Sequence, residues 1–479
     1  MTEEARLFSR RRLLQTAGGG FGWLALNAMS ARTGLGASAA ANPLAAHQPH
    51  FRPRAKSVIW LFMNGGPSHV DTWDYKPELQ KRNGQPLPGF DPKTGFFPDA
   101  VGPLMASPFE WRQYGQSGTW GSSLFPKLTQ HVDRMGFIHS CHTDSNNHSP
   151  ALFMMNTGVT RMGYPSVGSW VTYGLGCASS NLPSFVVMSD PKDRGLPKGN
   201  ANNWTAGFLP SVYQGTWLKP KGDPIDNLKR PASMSAAAQR SQLDLLAALN
   251  HHSLPGSPIE SELAARMESF ELAWRMQTAA PEAFDVNNEP EHIRKLYGLD
   301  QPKCAHMAAQ CLMARRMVER GVRFVQIYSG GMENQLSWDC HLDLKGNHGG
   351  FAAEVDQPFA ALLTDLAQRG LLDETLVVCA GEFGRLPISQ KGDKPGRDHN
   401  PHAFTAWLAG AGVRGGFHYG ATDDIGHKAA VDKVSVRDFH ATLLYALGLD
   451  HERLIFPFQG LDQRLTGVEY SRVVKEIFA

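Results

Sequence analysis

Ser57-Val58-Ile59-Trp60-Leu61-Phe62-Met63 runs seven residues without a charge, and Asn64-Gly65-Gly66-Pro67 ends it as a turn. A continuous apolar run, unlike an alternating one, suits a strand buried on both faces, the condition of a parallel sheet covered by helices. The pattern recurs. Strands are expected at 135–140, 183–188, 322–328, 375–379 and 403–409, and helices at 151–157, 303–320, 350–369 and 436–447. In the second helix Met307, Cys311, Ala314 and Val318 fall near one face. Strands alternating with helices imply an α/β chain with a mostly parallel central sheet covered on both sides. Residues 83–123, rich in Gly, Pro and aromatics, read as loop, and 42–56 as a linker. From about 195 to 300 the alternation stops; Pro, Asn and Gly give way to amphipathic helices at 236–250 and 259–277, a helical insertion into a domain spanning 57–479.

A chain of 479 residues with 42% hydrophobic and 19% charged residues can bury a large core, which excludes a disordered protein. Six Cys exclude a disulfide-dense scaffold, and their wide spacing leaves any pairing open. The net charge of +2 is too balanced for a nucleic-acid binder. Residues 1–41 carry a net +3, so the remainder is slightly acidic. Arg10-Arg11 before Leu13-Leu14, a mildly apolar Gly/Ala stretch and then Ala37-Ser38-Ala39-Ala40-Ala41 read as a twin-arginine signal peptide over 1–41. That places the mature chain in the periplasm or outside the cell. No later apolar run reaches the ~18 residues of a membrane span, so no integral membrane segment is expected after signal removal. The twin-arginine route carries folded proteins, often with a cofactor already bound.

In sheets of this class ligands gather beyond the carboxyl ends of strands. Four polar clusters follow expected strands: one holds His69 and Asp71, the next His148 and Ser149, the third Asp339, His341 and His348, and the fourth Glu382, Arg385, Arg397 and His399. Asp339, His341, His348, Glu382, His399, His69 and Asp71 are the candidate metal ligands. Mixed imidazole and carboxylate donors suit a divalent ion, zinc first, with calcium, manganese or iron as alternatives. Asp339 and His341 stand two apart and share a face of an extended segment. Arg385 and Arg397 either clamp phosphate or sulfate oxygens in bidentate fashion or pair with Glu382 or Asp398. Trp73, Trp204 and Trp338 either line an access channel or pack in the core. Gly346, Gly349 and Gly350 imply a loop free to move about His348.

Gly65-Gly66-Pro67-Ser68-His69-Val70-Asp71-Thr72, His142-Thr143-Asp144, Asn147-His148-x-Pro150-Ala151, Trp338-Asp339-x-His341, Gly381-Glu382-Phe383-Gly384-Arg385 and Gly396-Arg397-Asp398-His399-Asn400-Pro401 occur in that order. So do Gly420-Ala421-Thr422-Asp423 and Asp438-Phe439-His440-Ala441-Thr442. Over about 55–470 the chain thereby resembles the exported bacterial family called domain of unknown function 1501, found with sulfatase-like proteins in the alkaline phosphatase superfamily. The resemblance implies an alkaline-phosphatase-like α/β/α sandwich and, in the wider superfamily, two metals bridged by a nucleophile. Several positions depart from that pattern. Asn64 stands where an Asp is usual. His148-Ser149-Pro150-Ala151-Leu152, followed by Thr157-Gly158, matches the sulfatase C-x-P-S-R-x4-T-G in length, with His148 at the nucleophile and Leu152 at the Arg. Phe383 replaces the second ligand after Glu382, and Asp343 sits where D-x3-H would place a His.

The implied activity is that of an exported metal-dependent hydrolase acting on a small-molecule or glycan phosphate or sulfate ester. Its site is altered, without the Cys that becomes formylglycine. His148 would be base or nucleophile, with Ser149 or a water as the other candidate nucleophiles. The alternative is a catalytically inactive fold relative that binds anionic glycans or a cell-envelope partner. Either way Asp339, His341, Glu382, His399 and His148 are expected to converge, with His69 and Asp71 close by.

Overall fold

The computed structural model describes residues 42–220, 223–225, 228–253 and 259–479. The twin-arginine segment lies outside the described residues. The chain runs β1 (Ser57–Met63), α1 (His69–Thr72), β2 (Val101–Leu104), β3 (Trp111–Tyr114), β4 (Thr119–Ser122), β5 (Met135–His142), α2 (His148–Thr157), α3 (Val167–Leu175), β6 (Phe185–Met188) and β7 (Thr216–Leu218). It continues through α4 (Ala236–Ser253), α5 (Ile259–Phe284), α6 (Glu291–Tyr297), α7 (Ala305–Glu319), β8 (Phe324–Ser329), α8 (Leu344–Gln368), β9 (Thr375–Ala380), β10 (Gly384–Gln390) and β11 (Arg397–Asn400). Last come β12 (Phe404–Ala409), β13 (His418–Tyr419), β14 (Ala421–Thr422), β15 (Ala429–Val431), β16 (Val434–Ser435) and α9 (Val436–Ala446).

The central sheet has the order β13-β5-β12-β9-β1-β8-β6-β7, with β16 also on β5. β1 pairs in parallel with β8 and β9, and β6 with β8 and β7. β12 runs antiparallel to both β5 and β9. Side chains alternate between two cores, as the pleat requires. Val58, Trp60 and Phe62 join Leu152 and Met155 of α2, Trp170 of α3 and Leu443 of α9 on one face. Ile59, Leu61 and Met63 join Cys311 and Leu312 of α7 and Val355 and Leu362 of α8 on the other. The architecture is therefore an α/β/α sandwich with a mostly parallel sheet. Among the described residues no helix is long and apolar enough to cross a membrane.

The structure differs from the sequence reading in four places. The span 83–123 is not all loop: β2 pairs with β10, and β3 with β4 forms a hairpin. The 42–56 segment is no free linker, because Leu44 is buried and the Arg54 and Ala55 amides bond to the Ala446 carbonyl. The stretch 195–300 is not wholly an insertion: β7 extends the sheet beside β6, and Trp204, Leu209 and Tyr213 lie in its core. Finally, α8 begins at Leu344, so His348 sits buried inside a helix and not on a mobile loop. Trp73, Trp204 and Trp338 are core residues, and all six Cys are free.

Burial also sets the acid stability. Burial pushes His139 and His440 down to about 4 and His348 to about 3. A histidine kept neutral in the fold but protonated when unfolded costs stability as pH falls below the unfolded value, near 6.5. Urea unfolding should therefore show stability falling steeply from pH 6.5 toward 4, with uptake of up to about three protons from these residues. A flat profile between pH 7 and 5 would contradict the burial of these rings as neutral species.

Candidate functional site

Four strand-end segments meet beyond β1. Gly65 and Gly66 turn with φ of 107° and 72°. A Cβ on Gly65 would stand 2.5 Å from the Asp339 nitrogen, and one on Gly66 2.5 Å from the Phe383 ring. Only glycine lets the Asp339 loop and the segment after β9 close on this turn. His148 is the first residue of α2, whose cap residue Asn147 accepts from the Ser149 amide at 3.3 Å. Glu382 follows β9 directly, and His399 on β11 lies across from Arg385 on β10. His399 precedes its next sheet strand, β12; the reversed direction of β12 is what brings it to the edge where β1, β8 and β9 end.

Three histidines share one arrangement. His148 Nδ1 is 2.7 Å from Glu382 Oε1, His341 Nδ1 2.9 Å from Gln390 Oε1, and His399 Nδ1 2.6 Å from the Asn146 carbonyl. Each acceptor is an oxygen that carries no hydrogen, so each Nδ1 donates and each neutral ring keeps a lone pair on Nε2. Those three Nε2 atoms face one carboxylate. His341 and His399 stand 2.9 and 3.3 Å from Asp339 Oδ1, and His148 3.2 Å from Oδ2. His341 Nε2 and His399 Nε2 are themselves 3.0 Å apart. His148 Nε2 is buried, and Asp339 at 3.2 Å is the carboxylate it faces.

Lone pairs so close to one another and to a carboxylate repel unless a proton or a metal ion stands among them. An oxygen behind each imidazole and a free Nε2 in front is how metal-binding histidines are held. The separations also match the ~3.3 Å between donors of a tetrahedral ion with bonds near 2.0–2.1 Å. The donor set therefore fits a zinc-type divalent ion. His148, Asp339 and His399 offer donors all within 4.8 Å of one another, and His341 forms a second such group with Asp398 and His399.

Asp339 and His399 are 2% exposed and His148 5%. Burial opposes ionisation of Asp339, but Arg385 at 2.7 Å and the three imidazoles hold its carboxyl far below the usual range. Burial likewise opposes the His148 imidazolium, yet Asp339 and Glu382 outweigh it and raise the ring to about 9. In metal-free protein a proton on His148 is then the compensating cation. Its folded value exceeds the unfolded one, so this contribution to stability is complete below about 6.5 and lost as pH rises through about 9. Burial pushes His399 well below its ordinary value and keeps it neutral.

The other expected site residues lie elsewhere or do other work. Glu382 orients His148 and accepts from the Gly65 amide at 3.0 Å, and does not face the converging Nε2 atoms. His348 Nε2 accepts from the Ser68 amide at 3.0 Å and its Nδ1 bonds Asn347, which leaves no free donor. His69 Nε2 bonds the Gly426 carbonyl at 2.7 Å. Asp71 is held at 2.6 Å by Arg397. Ser149 is half-buried at the start of α2. Arg385 and Arg397 are not anion clamps. Arg385 donates to Asp339 and to the Gly65, Gly66 and Arg397 carbonyls, and Arg397 to Asp71 and the Leu386 and Met105 carbonyls. Both are fully buried, and every guanidinium nitrogen is committed.

Sequence reasoning missed Gln390, the Asn146 carbonyl and the aromatic cover. Phe383 stands where a second ligand was expected and packs at 4.9 and 4.6 Å against His148 and His399. Phe97 meets His341 edge-on at 4.8 Å, and Phe96 lies 5.3 Å from His399. Their loop is tied down by Asp398, which accepts from the Phe97 amide at 2.7 Å, and by Asn146, which donates to the Gly95 carbonyl at 2.9 Å. Asp398 stands inside a quoted motif and Asn146 just before one, whereas nothing local marks Gln390.

Residues 55–478 match the profile of a family described as "Protein of unknown function (DUF1501)". No curated protein matches the chain. Among solved structures it is similar to an alkaline phosphatase from the Antarctic bacterium TAB5 at 12% identity and a TM-score of 0.33, covering 79% of this chain and 97% of that one. It is similar to the PsFucS1 sulfatase from Pseudoalteromonas sp. at 13% and 0.36, covering 89% and 76%. A phosphonate monoester hydrolase, SpPMH from Silicibacter pomeroyi, matches at 11% and 0.33, covering 74% and 71%. Likenesses of this size carry no argument about chemistry.

Proposed function

The chain belongs to the DUF1501 family, and we propose that it is an exported metal-dependent hydrolase whose centre is built by His148, His341, His399 and Asp339. The observation that carries this reading is the convergence of three imidazole Nε2 atoms on one carboxylate, each ring anchored through Nδ1. A bound zinc-type ion supplies Lewis acidity and a water of lowered pKa. Around it the chain's residues hold and exclude. Glu382, Gln390 and the Asn146 carbonyl fix the three rings. Arg385 keeps Asp339 ionised and in place. Phe383, Phe96 and Phe97 keep bulk water away. The substrate class, a small-molecule or glycan phosphate or sulfate ester, rests on the order of the motifs.

One observation favours the second reading, a fold relative that binds an anionic glycan or envelope partner without turnover: both arginines are committed to the protein itself. Assays with 4-nitrophenyl phosphate and 4-nitrophenyl sulfate separate the two. Turnover that is lost on chelation and restored by zinc supports the hydrolase; protein that holds its metal and turns over neither ester supports the binder.

Export is part of the same proposal. Replacing Arg10 and Arg11 by Lys keeps the charge but removes the pair a twin-arginine receptor reads. The precursor should then stay in the cytoplasm, as fractionation would show; normal export would contradict the assignment to the periplasm or cell exterior.

A further inference from the structure

Away from the three-histidine centre, a cavity of about 530 Å³ opens between the first half of α8, the start of α7 and residues 123–127. Phe109 and Gly349 contribute apolar lining, and three exposed lysines, Lys127, Lys303 and Lys345, are among its lining residues. Its size falls within the range of small-molecule sites. Its one lining carboxylate, Asp356, offsets part of that charge through Lys127. Asp356 is buried and accepts from the Lys127 amide at 3.0 Å and the Leu128 amide at 2.8 Å. Lys127 Nζ bonds the neutral Gln357 side chain. Neither Lys303 nor Lys345 has an acidic partner among the described residues, although Lys76, Lys192 and Lys198 are paired with carboxylates. Three like charges facing one cavity repel, and an anion would relieve that. Gly349 keeps the space open: a Cβ there meets nothing within 4 Å, yet glycine inside α8 weakens the helix.

We propose that this cavity binds a small organic anion, a phosphorylated or sulfated sugar, with the three lysines on the anionic group and the Phe109 side under the ring. The assignment is independent of the hydrolase reading, since none of these residues touches the histidine centre.

Calorimetric titration of the full protein with glucose 6-phosphate, glucose 6-sulfate, inorganic phosphate and glucose tests it. Both esters, or one of them, should bind with salt-sensitive affinity, and the arm that binds tighter identifies the anion. Glucose should not bind, and phosphate should bind more weakly than the esters. Two variants keep the test sharp. Lys303→Glu with Lys345→Glu reverses the charge on exposed positions. Gly349→Leu fills the cavity while favouring the helix. Each should weaken ester binding at least about tenfold without lowering the melting temperature. The proposal is overturned if wild type binds neither ester, if both variants bind as wild type does, or if phosphate binds as tightly as the esters. It is equally overturned if ester binding survives both variants and disappears with Asp339→Asn, which would place the ligand at the histidine centre.

Discussion

Asp339→Asn should empty the metal centre and destabilise the fold together. The amide removes the one negative donor that His148, His341 and His399 face, and it leaves Arg385 fully buried without its carboxylate. Breaking one partner of a buried pair costs about 3–5 kcal/mol. The loss should fall at the low end, because Arg385 keeps three backbone carbonyl acceptors. Urea denaturation together with metal analysis of the folded variant measures both effects. A variant that keeps its metal and its full stability would show that Asp339 is neither ligand nor counter-ion.

Arg397→Met should cost a similar amount, about 3–5 kcal/mol, for the opposite reason: it strands Asp71, which is 0% exposed. Asp71 keeps only the Ser68 hydroxyl as a side-chain partner. Because Arg397 meets Asp71 and carbonyls and no open space, the folded fraction should retain its metal and its KM for any ester it cleaves. Adding Asp71→Leu should recover much of the stability, since an apolar pair can replace a buried ion pair. Unchanged stability with a raised KM would return Arg397 to the role of anion clamp.

The sheet was legible because apolar runs at β1, β8 and β9 are local signals and the alternation of their side chains between two cores follows from the pleat. Strand direction was not. β12 resembles its neighbours in composition, and its reversal depends on where β10 and β11 lead the chain. Those two strands were hidden by their own polarity. Arg385, Arg397 and His399 look like loop ligands until their partners are known, and Arg397 meets Asp71 326 residues away. α8 was shortened in the reading by Gly346, Gly349 and Gly350. The helix nevertheless starts at Leu344, with Asp343 at φ 51° accepting from the Gly346 amide, because Phe351, Val355 and Phe359 bury against the sheet. At the site, the positions of His148, Asp339, His341 and His399 after strands gave them away. The choice among ligand, orienting group and structural ion pair did not show, because it depends on the second contact of each side chain. Glu382 illustrates this: its place in the chain marks it as a ligand, and its contact with His148 Nδ1 makes it the support of one.

Metal analysis of the protein, purified without a histidine tag and never exposed to added metal, addresses the centre most directly. The geometry calls for about one zinc-type divalent ion per chain, lost in His148→Ala and His399→Ala variants that remain folded. Folded wild-type protein that carries no divalent ion, and takes none up from micromolar zinc, would contradict it and leave the three histidines as a proton-bridged structural cluster.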